Sequence, residues 1–288
     1  VHGANHGQFN STWDRTDFGA PYNWLLNTAP ILPRSHQEQV AKVFIGAFAQ
    51  IAVGEQEESS PYRQLFKHTG HATPWLPKGI YLGHYKDPKA KILADFENDI
   101  DPAREPHNVY TRAKFPATWK EEQLTYRTGL DQGNNAVVLA WDYGDSLRLD
   151  SIAEYQLSFP DSFARGKTSL LFSCAAGDPS ILSKHKGKDP EIDFSLMLID
   201  TSGQQAHLLI SDHKSIAPRL KVQYTKSKKL DKEQFSNNWE ITTETFAVPF
   251  QEFETLDTFN FNAIEHIHFI FDQTHKGVII LDEIGFGS

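Results

Sequence analysis

The chain has 288 residues, of which 39% are hydrophobic and 23% charged, enough apolar material for a sizeable core and too much for a disordered chain. The net charge of −9 argues against a protein that tracks nucleic-acid phosphates or an anionic membrane surface. A lone cysteine, Cys174, excludes an internal disulfide framework and a cysteine-rich zinc site, and no run of 18 apolar residues is present to span a membrane.

The first 66 residues are read as a unit of their own. A loop, His2-Gly-Ala-Asn-His6-Gly-Gln-Phe-Asn10, comes first. Val40, Val43, Phe44, Ala47, Phe48 and Ile51 then recur at helical spacing, which predicts a helix over about 36–53. Ser35 and Glu38 have the spacing of a capping box, and Gly54 follows as a stop. Residues 54–90 have the Gly, Pro, Ser and Glu content of loop, and 67–90 are taken as a linker. The interleaved Tyr62, Trp75, Tyr81 and Tyr85 predict that this stretch is pinned to a surface.

From residue 91 the pattern becomes a series of short strands. They are expected near 92–97, 136–141, 155–159, 170–174, 194–198, 207–210, 220–224, 241–248, 264–271 and 278–284. Phe194, Leu196 and Leu198 share one face, as do Ile267, Phe269 and Phe271. About ten strands with turn residues between them and no strong helix signal predict a mainly β fold, a β-sandwich over 91–288.

Two resemblances sharpen this. The segments Ile264–Phe271, Gly277–Phe286, Asp95-Phe-Glu97 and Asp193–Leu198 resemble a galactose-binding-like jelly roll, the superfamily of many carbohydrate-binding modules. This implies that the first and last strands of the sandwich are neighbours. The His6 loop followed by a long amphipathic helix resembles the C-terminal end of an α/β-hydrolase. It implies that residues 1–66 are a short helical remnant of that domain, with His6 as the catalytic histidine. That family's order is Ser, Asp or Glu, then His, so the nucleophile and acid would lie ahead of Val1; no G-x-S-x-G occurs in this sequence. His2 is the weaker candidate for that role.

Three further constellations carry chemistry. Asp95, Glu97 and Asp282, on the expected first and last strands, could supply the oxygens of a structural Ca²⁺, which the resembled modules often hold at such a corner; Asp99 and Asp101 lie in the following turn. Alternatively these are solvated acids at strand ends. Trp119, Trp141, Tyr143 and Trp239 are candidates for a platform on which sugar rings stack, or else are core aromatics. His266 and His268 lie two apart, so both point to one face of a strand, a spacing that can ligate a metal but more commonly faces solvent. Met197 is expected to pack on a strand face, and the basic stretches 183–188 and 226–229 to be solvated loops.

Three functional readings follow. The first is the C-terminal part of an esterase- or lipase-like serine hydrolase fused to an accessory sandwich. It needs no catalytic cofactor, its partner is the preceding hydrolase domain, and this chain alone is inactive. The second is a carbohydrate-binding module with a glycan ligand, and the third a structural accessory domain. An extracellular or periplasmic location is expected from the company that jelly-roll modules keep.

Overall fold

The computed structural model describes residues 1–9, 11–16, 19–54, 60–67, 73–98, 101–144, 151–182, 189–234, 238–256 and 258–288. Asp99 and the 183–188 stretch therefore lie outside the described residues. The chain divides into two compact units. One comprises Val1–Gly83, Arg127–Leu130 and Leu220–Glu240; the other comprises His84–Tyr126, Asp131–Arg219 and Ile241–Ser288. Of the expected linker, residues 67–83 fall in the first unit and 84–90 in the second, and 220–240 fall in the first.

In the first unit the periodic segment forms α1 (Arg34–Val53). It starts two residues earlier than expected and is capped by Pro33, with no side-chain cap bond, so the Ser35–Glu38 box is not formed. Pro33 lies just outside the helix, where its missing N–H costs no helical hydrogen bond. Gln37, Val40 and Ala47 are buried, whereas Phe48 is exposed. A second helix, α2 (Pro61–Lys67), occupies part of the expected loop and meets α1 edge to face through Phe44 and Phe66, 5.7 Å between ring centroids. Gln37 ties α1 to the N-terminal loop: its amide donates to Asn5 Oδ1 at 3.1 Å and Leu32 O at 2.9 Å and accepts from Asn5 N at 3.0 Å. Trp75 stacks on Tyr62 at 6.0 Å, which is how the aromatics hold the connecting segment. The 220–224 stretch is not a strand. It is held by the Arg127 guanidinium, 4.0 Å from the Tyr224 ring centroid, and by Asp231, which accepts from the backbone N–H groups of Tyr224 and Thr225.

The second unit is an antiparallel β-sandwich. Among the described residues one sheet has six strands: β4 (Thr118–Thr125), β5 (Asp131–Asp142), β13 (Lys276–Gly287), β7 (Ser169–Ala176) and β10 (Glu244–Pro249) in spatial order, with β1 (Lys91–Ala94) also on β13. The other has seven: β2 (Arg104–Glu105), β3 (Val109–Lys114), β6 (Glu154–Ser158), β12 (Ile264–Ile270), β8 (Ser195–Asp200), β9 (Gln205–Leu209) and β11 (Glu254–Thr255). The first and last strands are neighbours, with Lys91 opposite Phe286 and Ile92 opposite Gly285. At Gly285 an added Cβ would sit 2.2 Å from Lys91 O, so only glycine lets β1 pass this close.

The alternating side chains of the two inner faces interlock as the sandwich core. Phe172 stacks on Phe246 at 5.1 Å and meets Phe269 of the opposite sheet edge to face at 5.4 Å. Ala136–Trp141 does not alternate, because the six-stranded sheet is covered on both faces. Val137, Leu139 and Trp141 belong to the main core, while Val138 and Ala140 belong to a second cluster with Leu124, Leu182 and Ile280. β3 and β4 escaped the sequence reading. Their outward positions carry Tyr110, Arg112, Lys114, Lys120 and Glu122, which dilute the apolar signal on which strand prediction relies.

Candidate functional site

The open face of the sandwich is the outward side of its seven-stranded sheet. Strand register sets the side chains there in three rows. The first runs Tyr110, Ser158, His266, Ile199 and Gln205. The second runs Arg112, Gln156, His268, Met197 and His207. The third runs Lys114, Glu154, Ile270, Ser195 and Leu209. Four inter-strand spacings of about 4.8 Å make each row about 19 Å long. The alternate residues of the same strands, such as Leu157, Ile267, Leu198 and Ala206, are wholly buried, so the fold of the core dictates which side chains the face displays.

The middle of the face is held rigid by charge. Glu154 accepts from Lys114 Nζ at 3.1 Å and pairs with His268 Nδ1. Burial pushes its pKa up, but the hydrogen bonds and charge supplied by His268, Gln156 and Lys114 win and hold it down at about 2. His266 Nδ1 lies 2.9 Å from Ser158 Oγ, and burial lowers the pKa of this histidine. The two imidazoles are 6.1 Å apart between centroids, on one face as expected. Tyr110 and Arg112 are exposed at the β3 end of the rows. At the other end the rows run into a cleft of about 540 Å³, with Ser195, His207, Leu209 and Ile270 on its floor and His213, Glu252 and Asp272 among its walls. His213 Nδ1 is 2.7 Å from a Glu252 carboxylate oxygen, and Ser195 Oγ donates to Asp272 at 3.1 Å.

The expected aromatic platform is not assembled. Trp141 is buried, stacks on Phe271 at 4.3 Å and donates from its indole N–H to Thr274 O at 2.9 Å, so it offers no face to a ligand. Tyr143 is half-buried and spends its hydroxyl on Phe271 O and the Ala153 N–H. Trp119 packs partly buried against the core, edge to face with Tyr155. Trp239 is buried and belongs to the other unit. Large aromatics were taken by the core, where their area counts most.

At the carboxylate corner the three acids accept hydrogen bonds from the protein itself. Asp95 accepts from Glu97 N and Asn98 Nδ2, and Glu97 accepts from Asn135 N and Nδ2 at 2.6 and 2.8 Å. Asp282 accepts from Asn134 Nδ2 at 2.9 Å and from the Glu283 N–H at 2.7 Å. Beside them Lys86 Nζ lies 2.9 Å from Glu283 Oε1, and His84 hydrogen-bonds the other oxygen. The His84 hydrogen bond, with Lys86, holds Glu283 down at about 2 against the cost of burial. Burial raises Asp282 to about 6. Asp101 accepts from the Ala103 N–H in the following turn. Among the described residues no group of three or more His, Cys, Asp or Glu side chains is placed to hold a metal ion.

In the first unit, His6 opens a short 3₁₀ turn, His6–Phe9. It is exposed and meets Trp13 edge to face at 5.0 Å. It borders a wide cleft of about 1130 Å³ lined also by Trp13, Arg15, Asn23, Trp24 and Lys226. Trp13 and Trp24 are 51% and 68% exposed, yet sequence reasoning passed over both, since a single Trp in a Pro/Gly-rich stretch has no periodic signal. No described helix is long and apolar enough to cross a membrane.

No family model and no curated protein matches the chain. Solved structures give distant likenesses to its β-sandwich. A family 11 carbohydrate-binding module of the cellulosomal cellulase Lic26A-Cel5E of Clostridium thermocellum matches at 16% identity and a TM-score of 0.40, over 70% of this chain and 96% of that one. A non-crystalline-cellulose-specific module, CBM28, matches at 8% identity and a TM-score of 0.40, over 71% and 98%. A family 30 module matches at 11% identity and a TM-score of 0.41, over 68% and 98%. At such scores the likeness assigns no ligand and no chemistry, and the family of this chain is not set by it.

Proposed function

We propose that the β-sandwich is a carbohydrate-binding module that holds a neutral oligosaccharide along the outward face of its seven-stranded sheet. The observation that carries this reading is the three-row display itself. Planar polar side chains, namely Arg112, Gln156, His268 and His207, lie in one line across five strands, rigidly backed, and end in a cleft. A saccharide presents adjacent hydroxyls that both donate and accept. Guanidinium, amide and imidazole groups each offer fixed, planar donors or acceptors to such pairs. Between them Met197, Ile199 and Ile270 supply the apolar ground on which the C–H faces of a sugar ring settle. A row of about 19 Å suits several linked rings rather than one.

The test is calorimetric titration of the whole chain with neutral tetra- to hexasaccharides of glucose, xylose, galactose and mannose. Tyr110 and Arg112 are exposed, so Tyr110→Ala and Arg112→Ala leave the core intact. Each is expected to weaken binding about tenfold, a loss near 1.4 kcal/mol. Unchanged affinity in both variants overturns the reading.

A second reading is favoured by one observation in the first unit. In the hydrolase reading His6 is the general base of an acyl-serine enzyme, and α1 rests against a sheet that the described residues do not contain. Ile45, Phe48 and Val53 of α1 are exposed, as such a helix would be in the absence of that sheet. The readout is the coding sequence ahead of Val1. A strand–G-x-S-x-G–helix unit followed by an acidic triad member supports the reading, and unrelated sequence there ends it.

A further inference from the structure

We infer that the cleft of the first unit is a second saccharide site, distinct from the sandwich face, with Trp13 and Trp24 as its stacking surfaces. Nothing in the sandwich reading requires it, and the two sites share no residue. The cleft is formed wholly within the first unit and measures about 1130 Å³. Two indoles that line one cleft and leave half or more of their surface to solvent are costly for a folded chain to display, because burying either would gain stability. Neighbouring Tyr22 and Leu25 are exposed as well, at 69% and 52%.

The rest of the lining points to the ligand. Arg15 directs its guanidinium to the carbonyls of Thr28 and Ile31, at 3.2 and 3.0 Å, and so serves the loop rather than an incoming anion. Asp14 and Lys226 offer one charge of each sign. Asn23, Thr12, Thr16 and Thr28 add uncharged donors and acceptors. Flat aromatic faces and neutral hydrogen-bonding groups, with a formal excess of only one positive charge from Arg15, Lys226 and Asp14, suit a ring that is apolar on its C–H face and hydroxylated at its rim. A lipid chain would bring no hydrogen-bonding group to this polar rim, and the Arg15 guanidinium is directed at the loop carbonyls rather than at the cleft alone.

The experiment uses the full chain and the saccharide panel above, with tryptophan emission and calorimetry as readouts. The variants are Trp24→Ala, Trp24→Phe, Trp13→Ala and Arg112→Ala, each checked for an unchanged thermal midpoint. Wild type is expected to bind at two sites. Trp24→Ala and Trp13→Ala should each weaken one of them about tenfold, while Trp24→Phe, which keeps an aromatic face, retains most of the affinity. Arg112→Ala should affect only the other site. If Arg112→Ala alone reduces binding, this inference falls and the sandwich reading stands. If the tryptophan variants alone reduce it, the sandwich reading falls and this one stands. If wild type binds no member of the panel, both fall.

Discussion

Asp282 carries an unusual cost. It is 1% exposed, and burial raises its pKa from 3.8 to about 6 although Asn134 and the Glu283 N–H both donate to it. A carboxyl whose folded pKa is raised binds its proton more tightly in the native state. It therefore adds nothing unfavourable well below pH 3.8, and it destabilises progressively as pH rises through 3.8 towards 6. A shift of about two units at about 1.4 kcal/mol each puts the cost near 3 kcal/mol above pH 6, as an upper value. Asp282→Asn removes the charge and keeps the size. Its oxygen still accepts from the Glu283 N–H, and a rotation of the Asn134 amide restores the other hydrogen bond. Denaturant unfolding of both proteins from pH 3 to pH 8 should give equal stability at the acid end and a variant more stable by about 1–3 kcal/mol at pH 7. A difference that is flat with pH, or a wild type more stable at pH 7, would refute the reasoning.

Glu154 runs the other way. Its folded pKa of about 2 lies below the 4.5 of the free group, so the stability it contributes is present above pH 4.5 and lost as pH falls towards 2. Glu154→Gln should therefore flatten the acid limb of the unfolding profile by about 2–3 kcal/mol, read by circular dichroism. Gly285→Ala should cost 3 kcal/mol or about that, since its Cβ would meet Lys91 O at 2.2 Å, and hydrogen exchange should show β1 released from β13. Gln37→Leu strands Asn5 and Leu32 polar groups in a buried setting and should lower the stability of the first unit by about 2 kcal/mol, seen as an earlier unfolding step.

The sandwich was legible where strands alternate cleanly. Phe194, Leu196 and Leu198, and Ile267, Phe269 and Phe271, announce an inward face, and all six are buried. The pairing of first and last strands followed from the resemblance and is observed. The face between was harder to read. A residue such as Arg112 or Gln156 is ordinary in sequence, and only the register of β3, β6, β12, β8 and β9 reveals that it stands in line with His268 and His207. The surroundings of the carboxylate corner were hidden for a related reason. The partners of neighbouring Glu283, His84 and Lys86, sit in a stretch that composition marks as linker, 199 and 197 positions away. Trp141 drew notice as a large aromatic, and what sequence cannot show is that Gly277 lies beneath it: a Cβ there would come within 2.4 Å of the indole, so the ring lies flat in the core.

The place of β13 has a consequence for synthesis. It is the last strand in chain order, yet it lies inside the six-stranded sheet, between β7 on one side and β5 and then β1 on the other. As the chain leaves the ribosome, β5 and β7 each emerge with one edge whose backbone N–H and C=O groups have no partner in this sheet until residues 276–287 are free. The sheet closes only after that point, through contacts that span most of the domain's length, a topology that folds slowly and exposes its edges meanwhile. Until β13 arrives, those open edges are templates on which strands of neighbouring nascent chains can pair.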